Sequence, residues 1–185
     1  MRHVVGLDLS LTSSGIAIIT ETHRGLKIAT STVTSKGKRA ASVVDRHARL
    51  TEIGAGVLHH AGQVELAVIE GPFSGPNGSA IDRHALWWFV VGGLIRREVP
   101  VAVVAPTSLK LAIAGKGTAD KAALSGALAR LWPDLVVGSA DEADAAALAH
   151  LGAVWMGWPV TTLERHKQVR AEWPILPDPT AMEVA

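Results

Sequence analysis

Apolar residues recur along the chain in two rhythms, and the change from one to the other falls near residue 40. Residues 4–9 and 15–20 are nearly continuous apolar runs joined by the polar turn SLTSSG, and LKIATSTVT over 26–34 alternates. Such runs predict three strands in an antiparallel meander. Over 41–60 the apolar positions Val43, Val44, Ala48, Leu50, Ile53, Val57 and Leu58 return at helical spacing, with Gly62 as a stop. VELAVIE then reads as a fourth strand ending in Glu70, followed by the turn-rich GPFSGPNGS and a helix over 80–97. After Pro100 come a short strand VAVVA, a short helix over 107–112, a glycine-flanked loop, a helix over 119–131 and a last strong helix from about Ala140. Hairpin-linked strands followed by alternating helices and strands predict an α/β fold: a mixed five-stranded sheet, its first three strands antiparallel, with helices on both faces. Beyond Pro159 the pattern weakens, and three prolines in WPILPDPT prevent a continuous helix or ladder. This tail is an appendage, either partly disordered or docked through Trp173.

The length of 185 residues suits one domain that removes roughly 70% of its unfolded surface from water. The chain has no Cys, which excludes a disulfide framework and a thiolate zinc site and fits a reducing cytoplasm. Its eight His show no ligand spacing and read as ordinary surface or core residues. No apolar signal-peptide core precedes Asp8, and the longest apolar run, ALWWFVVGGLI, is about half the roughly 20 residues of a membrane span. A soluble cytoplasmic protein without a membrane partner is the expectation. The net charge of +1 does not by itself announce a nucleic-acid partner. Between residues 24 and 49, however, Arg24, Lys27, Lys36, Lys38, Arg39, Arg46 and Arg49 face only Asp45, which suits either a local basic surface or a solvated strand edge and helix face.

The candidate chemistry starts at Asp8, a lone carboxylate inside a strand-forming run, costly there unless paired or coordinated. With the first and fourth strands parallel, Asp8 and Glu70 share one rim of the sheet. Asp141 and Asp144, three apart at the start of the last helix, lie on one helix face. If that face meets the rim, four carboxylates converge, and such a cluster implies hard cations. Two Mg²⁺ roughly 3.5–4 Å apart, with Mn²⁺ as a substitute, suit hydrolysis of a phosphodiester. Each acid also has a structural reading: SADE is a capping-box pattern, acids favour a first helical turn, and Glu70 can close a strand and cap a turn.

The order of strand Asp, strand-end Glu and helical DEAD resembles the RuvC-type Holliday junction resolvases of the ribonuclease H-like superfamily, over residues 4–157. The resemblance implies a ribonuclease H-like nuclease domain over 1–158, a C-terminal extension over 159–185, and Asp8, Glu70, Asp141 and Asp144 as catalytic metal ligands. It implies that Phe73, in EGPF, stacks on junction bases, and that Lys110 and Lys121, eleven apart across SLKLAIAGKGTADKAAL, hold phosphates, with Lys116 a further candidate. Leu9 and Ser10 stand where family members often carry Pro-Gly, and the turn glycine, Gly15, is kept. The expected activity is symmetric nicking of four-way junctions by a homodimer, leaving 5′-phosphates. Divergent phage relatives cut a wider set of branched DNAs, which implies flaps and three-way junctions as further expected substrates.

The helix over 80–97 is apolar all round, so a second surface must cover it besides its own sheet. Gly92 and Gly93 suggest a close helix approach, and a two-fold contact through Trp87, Trp88, Val91, Gly92 and Ile95 is the expected dimer interface. The C-terminal tail is the alternative cover. Competing functions are a ribonuclease H acting on RNA–DNA hybrids and a junction-binding protein without catalysis. GLDLSLTSSG also resembles the phosphate loop of actin-like ATPases and sugar kinases, which need a second similar half. AGKGT lacks the full GxxxxGK[ST] of a phosphate-binding P-loop.

Overall fold

The expected meander opens the chain: β1 (Arg2–Asp8), β2 (Ser13–Thr22) and β3 (Gly25–Thr34) pair antiparallel. The structure, a computed structural model, describes residues 1–72 and 80–175. α1 (Val43–Ala61), β4 (Leu66–Glu70), α2 (Ala80–Ile95), β5 (Val101–Val104), α3 (Pro106–Ala114), α4 (Lys121–Leu131), α5 (Ala140–Trp155), α6 (Glu164–Lys167) and β6 (Ala171–Glu172) follow. The sheet order is β3-β2-β1-β4-β5-β6, with β4 parallel to both β1 and β5. The sheet therefore has six strands rather than five. The sixth is a two-residue strand, too short for any hydrophobic period to announce, and it runs antiparallel to β5.

Alternation along the strands separates two cores. Val4, Leu66, Val68 and Val104 face α3, α4 and α5, whereas Val5, Leu7, Ala67 and Ile69 face α1 and α2. α5 is rich in alanine, and its residues Ala145, Ala146, Ala147 and Ala149 are fully buried. Small side chains let its backbone lie directly on the sheet, and a Cβ on Gly6 would overlap the Ala145 carbonyl oxygen. That close approach aims the first turn of α5 at the end of β1.

α2 corrects part of the interface expectation. Trp87 and Val91 are buried within the protomer, and a Cβ on Gly93 would overlap the Leu58 side chain of α1. Gly93 thus serves packing between α1 and α2 rather than contact between copies. The outer stripe is Ile81, Ala85, Trp88, Gly92 and Ile95, with Ile81, Trp88 and Ile95 75%, 64% and 60% exposed.

Behind the sheet, the tail is anchored by a buried pair of histidines. Trp132 donates its indole N–H to His150 Nδ1 at 3.2 Å, which leaves His150 Nε2 to donate to His166 Nδ1 at 3.2 Å. Burial and the neighbouring His166 push His150 down to about 3, and burial, with Arg165 nearby, also lowers His166. The unfolded chain takes up these protons as pH falls through about 6.5, whereas the folded protein excludes them until lower pH. This contribution is present above that value and lost below it. We expect His166→Gln to flatten the fall in melting temperature between pH 7 and 5; parallel curves for variant and wild type would remove the pair from acid sensitivity.

Candidate active site

Pairing of Leu7 with Ile69 puts the next residues, Asp8 and Glu70, side by side at the carboxyl ends of parallel strands. Both project to the α5 face, because the preceding Leu7 and Ile69 face the opposite core. Asp8 also pairs with Gly15 on β2, and a Cβ on Gly15 would overlap the backbone of Asp141. Gly15 is therefore a strand residue and not a turn residue; it is small so that the first turn of α5 can rest on it. The contact delivers Asp141 and Asp144 to the rim beside Asp8.

Asp8, Glu70 and Asp144 each sense the acids around them. Burial pushes the Asp8 carboxyl up to about 8, and the charges of Glu70, Asp144 and Asp141 add to this while Lys121 opposes it. Burial and Asp144 push Glu70 up to about 7 against the pull of Lys110. Asp144 is raised by burial, with Lys121 and Lys110 opposing and Asp141 adding. Among the described residues, none of the four carboxylates accepts a hydrogen bond. Half-buried, mutually repelling oxygens without donors are a chemical fit for a hard divalent cation. Among the described residues no group of three acids is drawn tightly enough to cage an ion alone. Water and phosphate oxygens would complete its shell, as is usual for Mg²⁺.

Lys110 on α3 and Lys121 at the start of α4 come within electrostatic reach of this cluster. Lys116 is exposed in the intervening loop, which folds back so that Gly117 packs on the Thr107 carbonyl. Phe73 lies outside the described residues. The basic run of residues 24–49 is partly neutralised: Lys38 pairs with Asp45 at 3.5 Å, and Arg46 grips Asp82 from Nε at 2.9 Å. Its cleft, lined by Lys36, Arg46 and Arg49, also holds Glu52 and Asp82.

A model of the family described as "Crossover junction endodeoxyribonuclease RuvC" matches residues 4–151, a span that contains all four acids. The chain belongs to the RuvC family. A RuvC of Paenarthrobacter aurescens is 32% identical over 152 residues, covering 79% of this chain and 78% of its own. Another, of Clavibacter michiganensis subsp. michiganensis, is 29% identical over 160 residues, 84% of this chain and 75% of its own. The solved RuvC of Thermus thermophilus superposes with a TM-score of 0.66 at 23% identity, over 84% of this chain and 97% of that one. That likeness identifies the fold as the RuvC, ribonuclease H-like one. A second structure of the same T. thermophilus RuvC, in complex with a Holliday junction substrate, gives a TM-score of 0.66 at 20% identity, over 85% and 97% of the two chains.

Within this RuvC fold, further contacts steady the elements that carry the acids, among them two from Trp87 and Ser14, to which the sequence assigned no part in the site. Trp87 donates its indole N–H to the Glu70 carbonyl oxygen at 2.9 Å, pinning the end of β4. Ser14, fully buried, closes the turn after Asp8 by donating to the Ser10 carbonyl at 2.9 Å and accepting from the Ser10 N–H at 3.1 Å. Ser139 caps α5 as expected, accepting from the Glu142 N–H at 3.2 Å. The Glu142 carboxylate does not complete a capping box; it accepts from the Thr30 and Thr32 hydroxyls at 2.7 and 2.6 Å and from the Gly138 N–H at 2.9 Å. It thereby ties the helix that carries Asp141 and Asp144 to β3. A buried Trp needs an acceptor for its N–H, and this was the available signal for Trp87.

Proposed function

We propose that the protein is a structure-selective endodeoxyribonuclease that resolves Holliday junctions and related branched DNA in the cytoplasm. The observation that carries this reading is the placement of four carboxylates from β1, β4 and α5 at one rim of a RuvC fold, where they accept no hydrogen bond from a described residue. Asp8, Glu70, Asp141 and Asp144 would hold two Mg²⁺, or Mn²⁺ in their place. Divalent cations in such a site lower the pKa of an attacking water and offset charge on the leaving oxygen. The chain's own part is to hold the ligands still and to bring the substrate to them. Trp87 and Glu142 hold the strand end and the helix, while Lys110, Lys121 and the exposed Lys116 supply point charges for phosphates. Phe73 is proposed to stack on bases at the branch, and the products are proposed to carry 5′-phosphates. Hydrolysis of end-labelled four-way junction, three-way junction, flap, duplex and RNA–DNA hybrid in Mg²⁺ tests the reading. Paired nicks in the junction are expected; cutting confined to the hybrid would make the protein a ribonuclease H, and tight junction binding that stays inert in both Mg²⁺ and Mn²⁺ would make it a binding protein.

Two symmetric cuts require two sites, and the outer stripe of α2 is the proposed contact between two copies. An exposed indole flanked by two exposed isoleucines suits a self-complementary two-fold surface. We expect Trp88→Glu to halve the mass measured by light scattering and to replace paired nicks with single, uncoordinated ones. An unchanged mass would move the interface elsewhere.

A further inference from the structure

The segment after α5 lies beyond the residues matched by the family model, yet it is tied to the body at several points. Arg165 donates from Nε to the Ala112 carbonyl at 2.7 Å and from Nη2 to the Ile113 carbonyl at 3.1 Å. These belong to the end of α3, where helical carbonyls lack partners of their own. His166 is buried against His150, Trp173 stacks on Trp155 with ring centroids 5.1 Å apart, and β6 pairs with β5. The residue just before β6, Arg170, therefore has a fixed place. Glu70 pairs with Val104 and Val104 with Ala171, so Arg170 stands at the level of the catalytic rim, two strand spacings or about 10 Å along from Glu70.

Two clefts meet at that point. One of about 440 Å³ begins at Gly71 and Pro72, directly after Glu70, and crosses the end of β5 to Ser108 and Arg170. The other, of about 240 Å³, continues from Ser108 and Arg170 between Leu111 and Arg165. Together they make an open track across the carboxyl end of β5, which starts one residue after Glu70 and, at Val103, lies on the α2 side of the sheet, whereas the acids project to the α5 side of the same rim. Its floor is mostly apolar, with little to read a small polar molecule. Its charges are Arg165, Arg170 and Glu172, and Arg170 is exposed and forms no ion pair with Glu172 or any other described residue.

We infer that this track is a second substrate-binding site, which takes the phosphodiester backbone of the DNA strand running outward from Glu70, with Arg170 as its phosphate contact. The level of Arg170 with the rim that carries Glu70, and its unpaired charge on an extended open path, select a polyanionic strand over a compact ligand. The inference rests on the proposed nuclease function. It gives the C-terminal segment a role in gripping DNA that residues 4–151 do not supply.

The test is junction binding by fluorescence anisotropy across a salt series, in EDTA, for wild type, Arg170→Ala and Lys167→Ala. Lys167, an exposed cation on α6 that pairs with Glu164 at 3.6 Å, does not line the track, so it controls for loss of a positive charge elsewhere on the same segment. We expect Arg170→Ala to weaken junction binding about 3–10-fold and to reduce the logarithmic salt slope by about 0.7–0.9, the share of one phosphate. Lys167→Ala should match wild type, and all three should melt together. Wild-type affinity and slope in Arg170→Ala, or an equal loss in Lys167→Ala, would overturn the inference while leaving the nuclease reading intact. Failure of the wild type to bind or cut junctions would instead reject that reading. Because the chain has no cysteine, Arg170→Cys offers a unique thiol for disulfide tethering to thiol-bearing junctions. Tethering confined to nucleotides near the cut supports the track, and none there refutes it.

Discussion

Asp8→Asn should abolish junction cleavage while leaving junction affinity within about twofold, and it should make the metal-free protein more stable. Loss of partners that merely orient metal ligands costs about 10–100-fold, so loss of a ligand itself is expected to cost at least on the order of 100-fold in cleavage rate. The stability effect follows from proton linkage. The unfolded Asp8 ionises near 3.8, but the folded carboxyl holds its proton up to about 8 because it is buried beside Glu70, Asp144 and Asp141. Between those values the folded state binds more protons than the unfolded one, so stability falls as pH rises through the window. Glu70, raised to about 7, acts in the same direction. In EDTA, the melting temperature of Asp8→Asn should therefore exceed that of wild type by several degrees at pH 8 and equal it near pH 4. Mg²⁺ should raise the wild type more than the variant at pH 8. Equal melting temperatures at both pH values would show that the acids do not repel one another in the folded protein, and parallel loss of binding and cleavage would make Asp8 a residue of the fold rather than of the chemistry.

Gly15→Ala should be nearly as damaging to cleavage, although it removes no chemical group. The added methyl would overlap the backbone of Asp141, so the first turn of α5 must lift away from β2. Overpacking of this kind costs about 1–3 kcal/mol, or roughly 2–12 °C in a domain of this size. Displacement of Asp141 and Asp144 by about 1 Å is expected to cost on the order of 100-fold in rate. Gly126→Ala, on the exposed side of α4 where a Cβ meets only the Arg130 side chain at 4.0 Å, is the matched control and should be neutral or slightly stabilising. Cleavage by Gly15→Ala at the wild-type rate would mean that the close contact does not set the acids' positions.

The first five strands, the first five helices and the places of the four acids on them were legible in the sequence because each announces itself locally. An apolar run around Asp8 is a strand with a costly charge, and the DEAD spacing fixes a helix face. What sequence could not give were relations across the chain. Gly15 reads as a turn residue until α5 is seen lying on it. Glu142 reads as half of a capping box until Thr30 and Thr32, more than a hundred residues away, take its carboxylate. Trp87 and Trp88 are adjacent and chemically alike, yet one points at the Glu70 carbonyl and the other outward, a choice made by the rotation of α2 against the sheet. The two residues of β6 carry no periodic signal, and their strand character comes wholly from the edge they pair with.

That pairing also bears on how the protein behaves among its own copies. β5 is a short run of four residues, VAVV, and without β6 its outer backbone groups would form an open edge of high β-propensity with no charge on it. Such an edge invites addition of a strand from another molecule. By pairing Ala171 and Glu172 with Val104 and Val103, the C-terminal segment covers the outer half of β5 and sets a carboxylate at the new margin, which leaves a shorter and charged edge on this side of the sheet.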